Sequence, residues 1–101
     1  MNTRNRKVIW DDEAKQQLRA AYTFIKRDSP KNAAKVRGEI IALTKKIALY
    51  PEIYSVDKYK ADNDGSYRAF EKHRYRIAYK VSEKEIRILR VRHTSMEPLS
   101  Y

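Results

Sequence analysis

The stretch YRAFEKHRYRIAYKVSEKEIRILRVRH, residues 67–93, decides the fold, because its apolar residues recur with period two. Tyr75, Ile77, Tyr79 and Val81 alternate with Arg76, Ala78 and Lys80, which is the pattern of a strand with one buried face. Tyr67-Arg68-Ala69-Phe70-Glu71 predicts a strand before it, with His73-Arg74 as the turn and His73 a solvated loop residue. Ser82-Glu83-Lys84 predicts the next turn. Glu85 to Arg92 then gives a third strand with Ile86, Ile88, Leu89 and Val91. Upstream the period lengthens. Ala14, Leu18, Ala21 and Ile25 recur at helical spacing, as do Ala33, Val36, Ile40, Leu43 and Ile47. Asp11 or Asp12 is the expected N-cap of the first helix, and Ser29 with Pro30 starts the second. Lys7-Val8-Ile9-Trp10 reads as a short leading strand, Tyr50-Pro51 closes the second helix, and residues 51–66 read as a polar, turn-rich loop.

The expected architecture is therefore α+β, in the order β-α-α-β-β-β. An N-terminal helical hairpin packs on one face of a roughly four-stranded, largely antiparallel sheet. Two helices cover one face of such a sheet, so the other is expected to be open. Parity puts Arg76 on that open face, and Arg90 and Arg92 share a parity of their own. A solvated face lined by Arg, Lys and Tyr suits phosphates and bases, since Arg forks onto phosphate oxygens and Tyr stacks.

Composition narrows the function classes. The chain has 101 residues, a net charge of +10, no Cys and 11% aromatic residues. One modest core fits this length, so residues 1–101 are expected to be a single domain. Without Cys, disulfides, thiol catalysis and zinc–thiolate sites are excluded, and no metal or cofactor is expected. No apolar run is long enough to span a membrane, and the basic Met1–Lys7 stretch lacks the apolar segment of a signal peptide. A cytoplasmic protein without membrane contact is the expectation. Residues 66–101 hold nine Lys and Arg against four acids, so much of the positive excess lies on the predicted strands. Such a charge points to a polyanion or an acidic protein partner.

Read in order, these segments resemble the RelE/ParE superfamily of bacterial type II toxin–antitoxin toxins. The parts that carry the resemblance are Ile9-Trp10 before an acid-capped helix, Ser29-Pro30-Lys31-Asn32-Ala33, and Leu49-Tyr50-Pro51. Tyr67-Arg68, Tyr75-Arg76-Ile77-Ala78-Tyr79-Lys80-Val81 and Ile88-Leu89-Arg90-Val91-Arg92-His93 complete it. The resemblance implies a toxin bound by a cognate antitoxin, often through an acidic helical segment. It implies one of two activities: RelE-like members cut mRNA on the ribosome without a metal, whereas ParE-like members poison DNA gyrase without catalysis. A basic RNA-binding domain without toxicity is a third reading.

For the nuclease, Arg76 matches the family's phosphate-binding arginine, and Tyr101 resembles the tyrosine that orients the nucleotide. His93 is the acid/base candidate near neutrality, and Glu71 is either a base or a neutraliser of its basic neighbours. Arg68, Lys72, Arg74, Arg90 and Arg92 are the candidate RNA contacts. Tyr67, Ala69 and Thr94 stand where the RelE pattern has basic residues, and a histidine also ends this strand in ParE-like proteins. Tyr101 and the basic sheet face tip the sequence reading towards a ribosome-associated endoribonuclease, with the gyrase poison as its alternative.

Overall fold

A computed structural model describes residues 6–101; the first five, part of the expected basic N-terminus and of the 1–101 domain, lie outside the described residues. β1 (Lys7–Trp10) leads into α1 (Asp12–Lys26) and α2 (Pro30–Leu49). β2 (Tyr67–Lys72), β3 (Tyr75–Val81) and β4 (Glu85–His93) follow, and a short 3-10 turn spans Thr94–Met96. The sheet order is β1-β4-β3-β2, with β1 parallel to β4 and the other pairs antiparallel. The expected class and element order are those observed.

The helices start for the reasons the sequence suggests, with one difference. Ser29 Oγ accepts the Asn32 N–H at 3.0 Å, and Pro30 takes the first helical position, where a missing N–H costs nothing. Asp11 sits at the N-cap of α1, yet its side chain makes no capping bond. It pairs instead with Arg87 at 2.8 Å, tying the helix start to β4. Ala14, Ala21, Val36, Ile40 and Ile47 pack onto Phe70, Tyr75, Ile77, Tyr79, Ile86, Ile88 and Val91. Ile40, Ile47, Ile77 and Tyr79 are fully buried, so the core lies between the hairpin and one sheet face.

A register shift sets the other face. It falls between Ala78 and Tyr79, where Ala78 pairs with Arg90 and Tyr79 with Ile88. Leu89 is the extra residue, and such a bulge inverts strand parity beyond it. Ile86 and Ile88 therefore share the helix side with Val91 and His93, while Arg90 and Arg92 face away with Arg76.

That outer face is not open as expected. Residues 51–66 leave α2 on the helix side, where the Tyr79 hydroxyl donates to the Pro51 carbonyl at 3.1 Å and Arg68 to the Tyr54 carbonyl at 2.7 Å. They then pass along the edge of β2, with Val56 bridging Arg68 and Asp57 N–H bonded to the Tyr67 carbonyl. The wrap delivers Asp57 and Tyr59 over the outer face, where residues 97–101 join them. Arg76 and Arg90, expected in solvent, are each only 8% exposed.

Candidate functional site

The centre of the outer face is the Arg76 guanidinium. One terminal nitrogen donates to Asp57 Oδ1 at 2.9 Å and the other to Glu71 Oε2 at 2.9 Å, while Tyr59 lies beneath with its ring centroid 4.7 Å away. Burial alone would lower the Arg76 pKa, but the two carboxylates outweigh it and raise it. Asp57 is the hub. Its Oδ1 also accepts the Tyr59 N–H at 3.0 Å, and its Oδ2 accepts the Tyr101 hydroxyl at 2.7 Å. Burial pushes the Asp57 pKa up, yet the bonds from Tyr101, Arg76 and Tyr59 hold it below the usual carboxylate value. Burial and the bond to Asp57 push the Tyr101 hydroxyl up, so it stays a neutral donor.

A carboxylate with a depressed folded pKa stabilises the fold fully above the unfolded value of about 3.9, and loses that contribution as pH falls through the folded value. Below about pH 4 the melting temperature should therefore drop more steeply in the wild type than in Asp57→Asn. Parallel Tm–pH curves for the two proteins would show that Asp57 does not carry this slope.

Arg90 and Arg92 flank the hub. The Arg90 guanidinium lies 4.0 Å from the Tyr101 ring centroid, and Arg90 Nη2 donates to the Leu99 carbonyl at 2.6 Å. Arg92 Nη2 donates to the Met96 carbonyl at 2.7 Å. Glu97 lies 4.0 Å from Arg90 and 3.6 Å from Arg92. Lys60 reaches over the Tyr67 and Tyr101 rings at 4.6 and 5.4 Å and donates to the Tyr101 carbonyl at 3.2 Å.

Of the four residues expected to form a catalytic set, this face brings together Arg76, Glu71 and Tyr101. His93 is elsewhere. It pairs with Tyr75 across the strands and meets that ring edge-on on the helix side, 5.2 Å between centroids, with Nδ1 2.8 Å from the Ser95 hydroxyl. Among the expected RNA contacts, Arg90 and Arg92 are on the outer face. Arg68 faces the helix side and holds the loop, and Lys72 lies 3.9 Å from Glu39. Arg74 occupies the turn beyond β2 with a positive φ of 68°. His73, expected to be solvated, reaches α2 instead and sits 2.6 Å from Glu39 Oε1. That hydrogen bond lowers the Glu39 pKa.

Sequence reasoning missed Asp57, Tyr59 and Lys60. The available signal was Asp57-Lys58-Tyr59 as an Asx-turn, in which an Asp side chain accepts the backbone N–H two residues on. Among the described residues, no three His, Asp or Glu side chains are grouped to hold a metal ion. A separate hollow of about 450 Å³ opens on the helix side between α1 and the end of β4, walled by Ala20, Ala21, Phe24, Tyr75, Val91 and Met96. Phe24 is 61% exposed at its rim. No described helix is long and apolar enough to cross a membrane.

The fold recurs in solved toxin structures. The chromosomal ParDE system from P. aeruginosa matches with a TM-score of 0.67 at 21% identity, covering 88% of this chain and 96% of that one. YoeB from Staphylococcus aureus, solved as a dimer, matches at 0.58 and 18%, covering 87% and 95%. The E. coli DinJ–YafQ toxin–antitoxin complex matches at 0.55 and 15%, covering 93% and 99%. At these identities the likeness is one of fold. No curated protein matches the sequence significantly. The family model described as ParE toxin of type II toxin–antitoxin system, parDE, matches residues 8–98, and the chain belongs to that family.

Proposed function

We propose that this ParE-family toxin acts as a non-enzymatic poison of DNA gyrase and is held inactive by a cognate antitoxin. The observation that carries this reading is the separation of the nuclease candidates. Arg76, Glu71 and Tyr101 share the outer face, whereas His93 lies on the helix side of the same sheet. General acid–base catalysis needs its groups within hydrogen-bond reach of one reacting centre, directly or through one water. An intervening sheet prevents that. Arg76 moreover is buried and already paired with two carboxylates, Asp57 and Glu71, which neutralise the charge a phosphate would need. The family match to ParE supports the same choice, where the sequence alone leans towards RNA cleavage.

An antitoxin partner is supported by the toxin–antitoxin assemblies named for the P. aeruginosa and E. coli relatives. The hollow beside Phe24 suits an apolar anchor, and Arg19 and Arg27, in the neighbouring depression on the other side of Phe24, suit an acidic helix.

Controlled expression in bacteria tests the activity. SOS induction with trapped gyrase–DNA complexes is the expected result, retained in His93→Gln. Arrest of translation with mRNA cut in the ribosomal frame, relieved by about 10²-fold or more in His93→Gln, would instead establish the nuclease.

A further inference from the structure

We propose that the helix side of the sheet holds a site for a small amphipathic carboxylate, with its apolar body in the hollow between α1 and β4 and its carboxylate between Arg74 and the His93 imidazole. Two hollows meet there. The larger, of about 450 Å³, and a second of about 300 Å³ towards the β2–β3 turn share Phe24, Tyr75 and His93 as a common wall. Apolar hollows of this size with a few convergent polar groups are what small-molecule sites are made of. Among the described residues no carboxylate lines either hollow, whereas Arg74, Arg92 and both histidines do, so the ligand they complement is an anion. Phe24 and Met96, 61% and 60% exposed on the larger hollow, are the apolar surface that its body would cover.

The fold sets both donors for the head group. The Ser95 N–H donates to His93 Nδ1 at 3.1 Å, which puts the proton of a neutral imidazole on Nε2. Nε2 has no hydrogen-bond partner among the described residues and so is free to donate. Arg74 is held by the turn. His73 and Arg74 both have positive φ, 54° and 68°, between the paired residues Lys72 and Tyr75. Two-residue turns of this kind favour Asn-Gly, and an arginine there is strained. Glycine would fill the position without strain, so the side chain of Arg74 accounts for the residue better than the turn does. That side chain lines the smaller hollow, is exposed, and makes no ion pair among the described residues. The turn itself is fixed: His73 sits 2.6 Å from Glu39, and the Arg74 carbonyl accepts the Thr94 N–H at 2.8 Å. Tyr75 pairs with His93 across the strands, which brings Arg74 beside the imidazole. Glu39 is the acid at this end, and it is already paired with His73 and, at 3.9 Å, with Lys72.

One guanidinium and one imidazole N–H match a single carboxylate. The second charge of a phosphate would lie unpaired against apolar walls. The site goes beyond the gyrase reading and does not rest on it. On the antitoxin reading, ligand and antitoxin compete for the larger hollow.

The test uses the full chain without antitoxin, and octanoate below its micelle concentration as the probe, an apolar body of about eight carbons. Octanoate should bind saturably and at least about tenfold more tightly than butyrate, because four further methylenes leave water. It should also bind about tenfold more tightly than octanol, which lacks the charge. Arg74→Gly should keep its melting temperature, since glycine suits the turn, yet lose about tenfold in octanoate affinity and none for octanol. Ala20→Trp, placed at the exposed wall of the larger hollow, should block both ligands. In the wild type, octanoate should shift the methyl resonances of Ala21 and Val91 and the His93 ring together in NMR spectra. Equal binding of octanoate and octanol, unchanged affinity in Arg74→Gly, shifts scattered over the basic surface, or a polyglutamate peptide that enters the hollow where octanoate does not would each overturn the proposal.

Discussion

Asp57→Ala is expected to destabilise the protein by about 3–5 kcal/mol, the usual cost of removing one partner of a buried ion pair. The Asp57 side chain is completely buried, and that of Arg76 is 10% exposed. Truncation leaves the guanidinium with Glu71 alone, and the Glu71 side chain is 54% exposed and so screened by water. It also strips a partner from the Tyr59 N–H and from the Tyr101 hydroxyl. At about 4–8 °C per kcal/mol for a domain of this size, the melting temperature should fall by at least about 12 °C. Asp57→Asn keeps the shape and an acceptor oxygen, and should lose less than the alanine variant. Replacing the pair together, Asp57→Leu with Arg76→Met, should recover much of the loss, because no buried charge is then left unpaired. Thermal melts followed by circular dichroism measure all three. A fall of under about 1 kcal/mol in Asp57→Ala would mean that the pair behaves as a surface ion pair.

This cluster also marks where the sequence stops being legible. The helices and strands were readable because their information is local: apolar residues at 3.6 or two residues per turn, Ser29-Pro30 at a helix start, His73-Arg74 at a turn. Parity correctly took Arg76 away from Tyr75 and Ile77. It did not say what lay on top. The cover is built from pairs far apart in the chain, Arg76 with Asp57 and Tyr101 with Asp57, and neither leaves a periodic trace. Asp57 itself looks like any polar loop residue until the wrap along β2 carries it over the sheet. The side that His93 takes was hidden for a related reason. Its side is decided by the extra residue at Leu89, and a one-residue shift flips every side chain beyond it.

Tyr79→Ala is the second large effect, expected at about 3–5 kcal/mol by analogy with truncation of other buried aromatics. Tyr79 is fully buried, its ring 6.5 Å from that of Phe70, which stacks on Tyr54 at 5.0 Å. Burial pushes its hydroxyl pKa up, so the group remains a neutral donor to the Pro51 carbonyl. The alanine variant loses the ring, opens a cavity beside Phe70 and unpins the chain as it leaves α2. Tyr79→Phe removes the hydroxyl alone and should cost about 1 kcal/mol, so the difference between the two isolates packing from the tether. Because residues 51–66 are tied down at Tyr79 on one side of the sheet and through Asp57 on the other, the two sites act on one segment. Freeing either end should weaken the grip at the other, and Tyr79→Ala with Asp57→Ala should cost less than the sum of the single variants. Strictly additive losses in denaturant titrations would show that the loop's two anchorages are independent, and that Asp57 reaches Arg76 without help from the helix side.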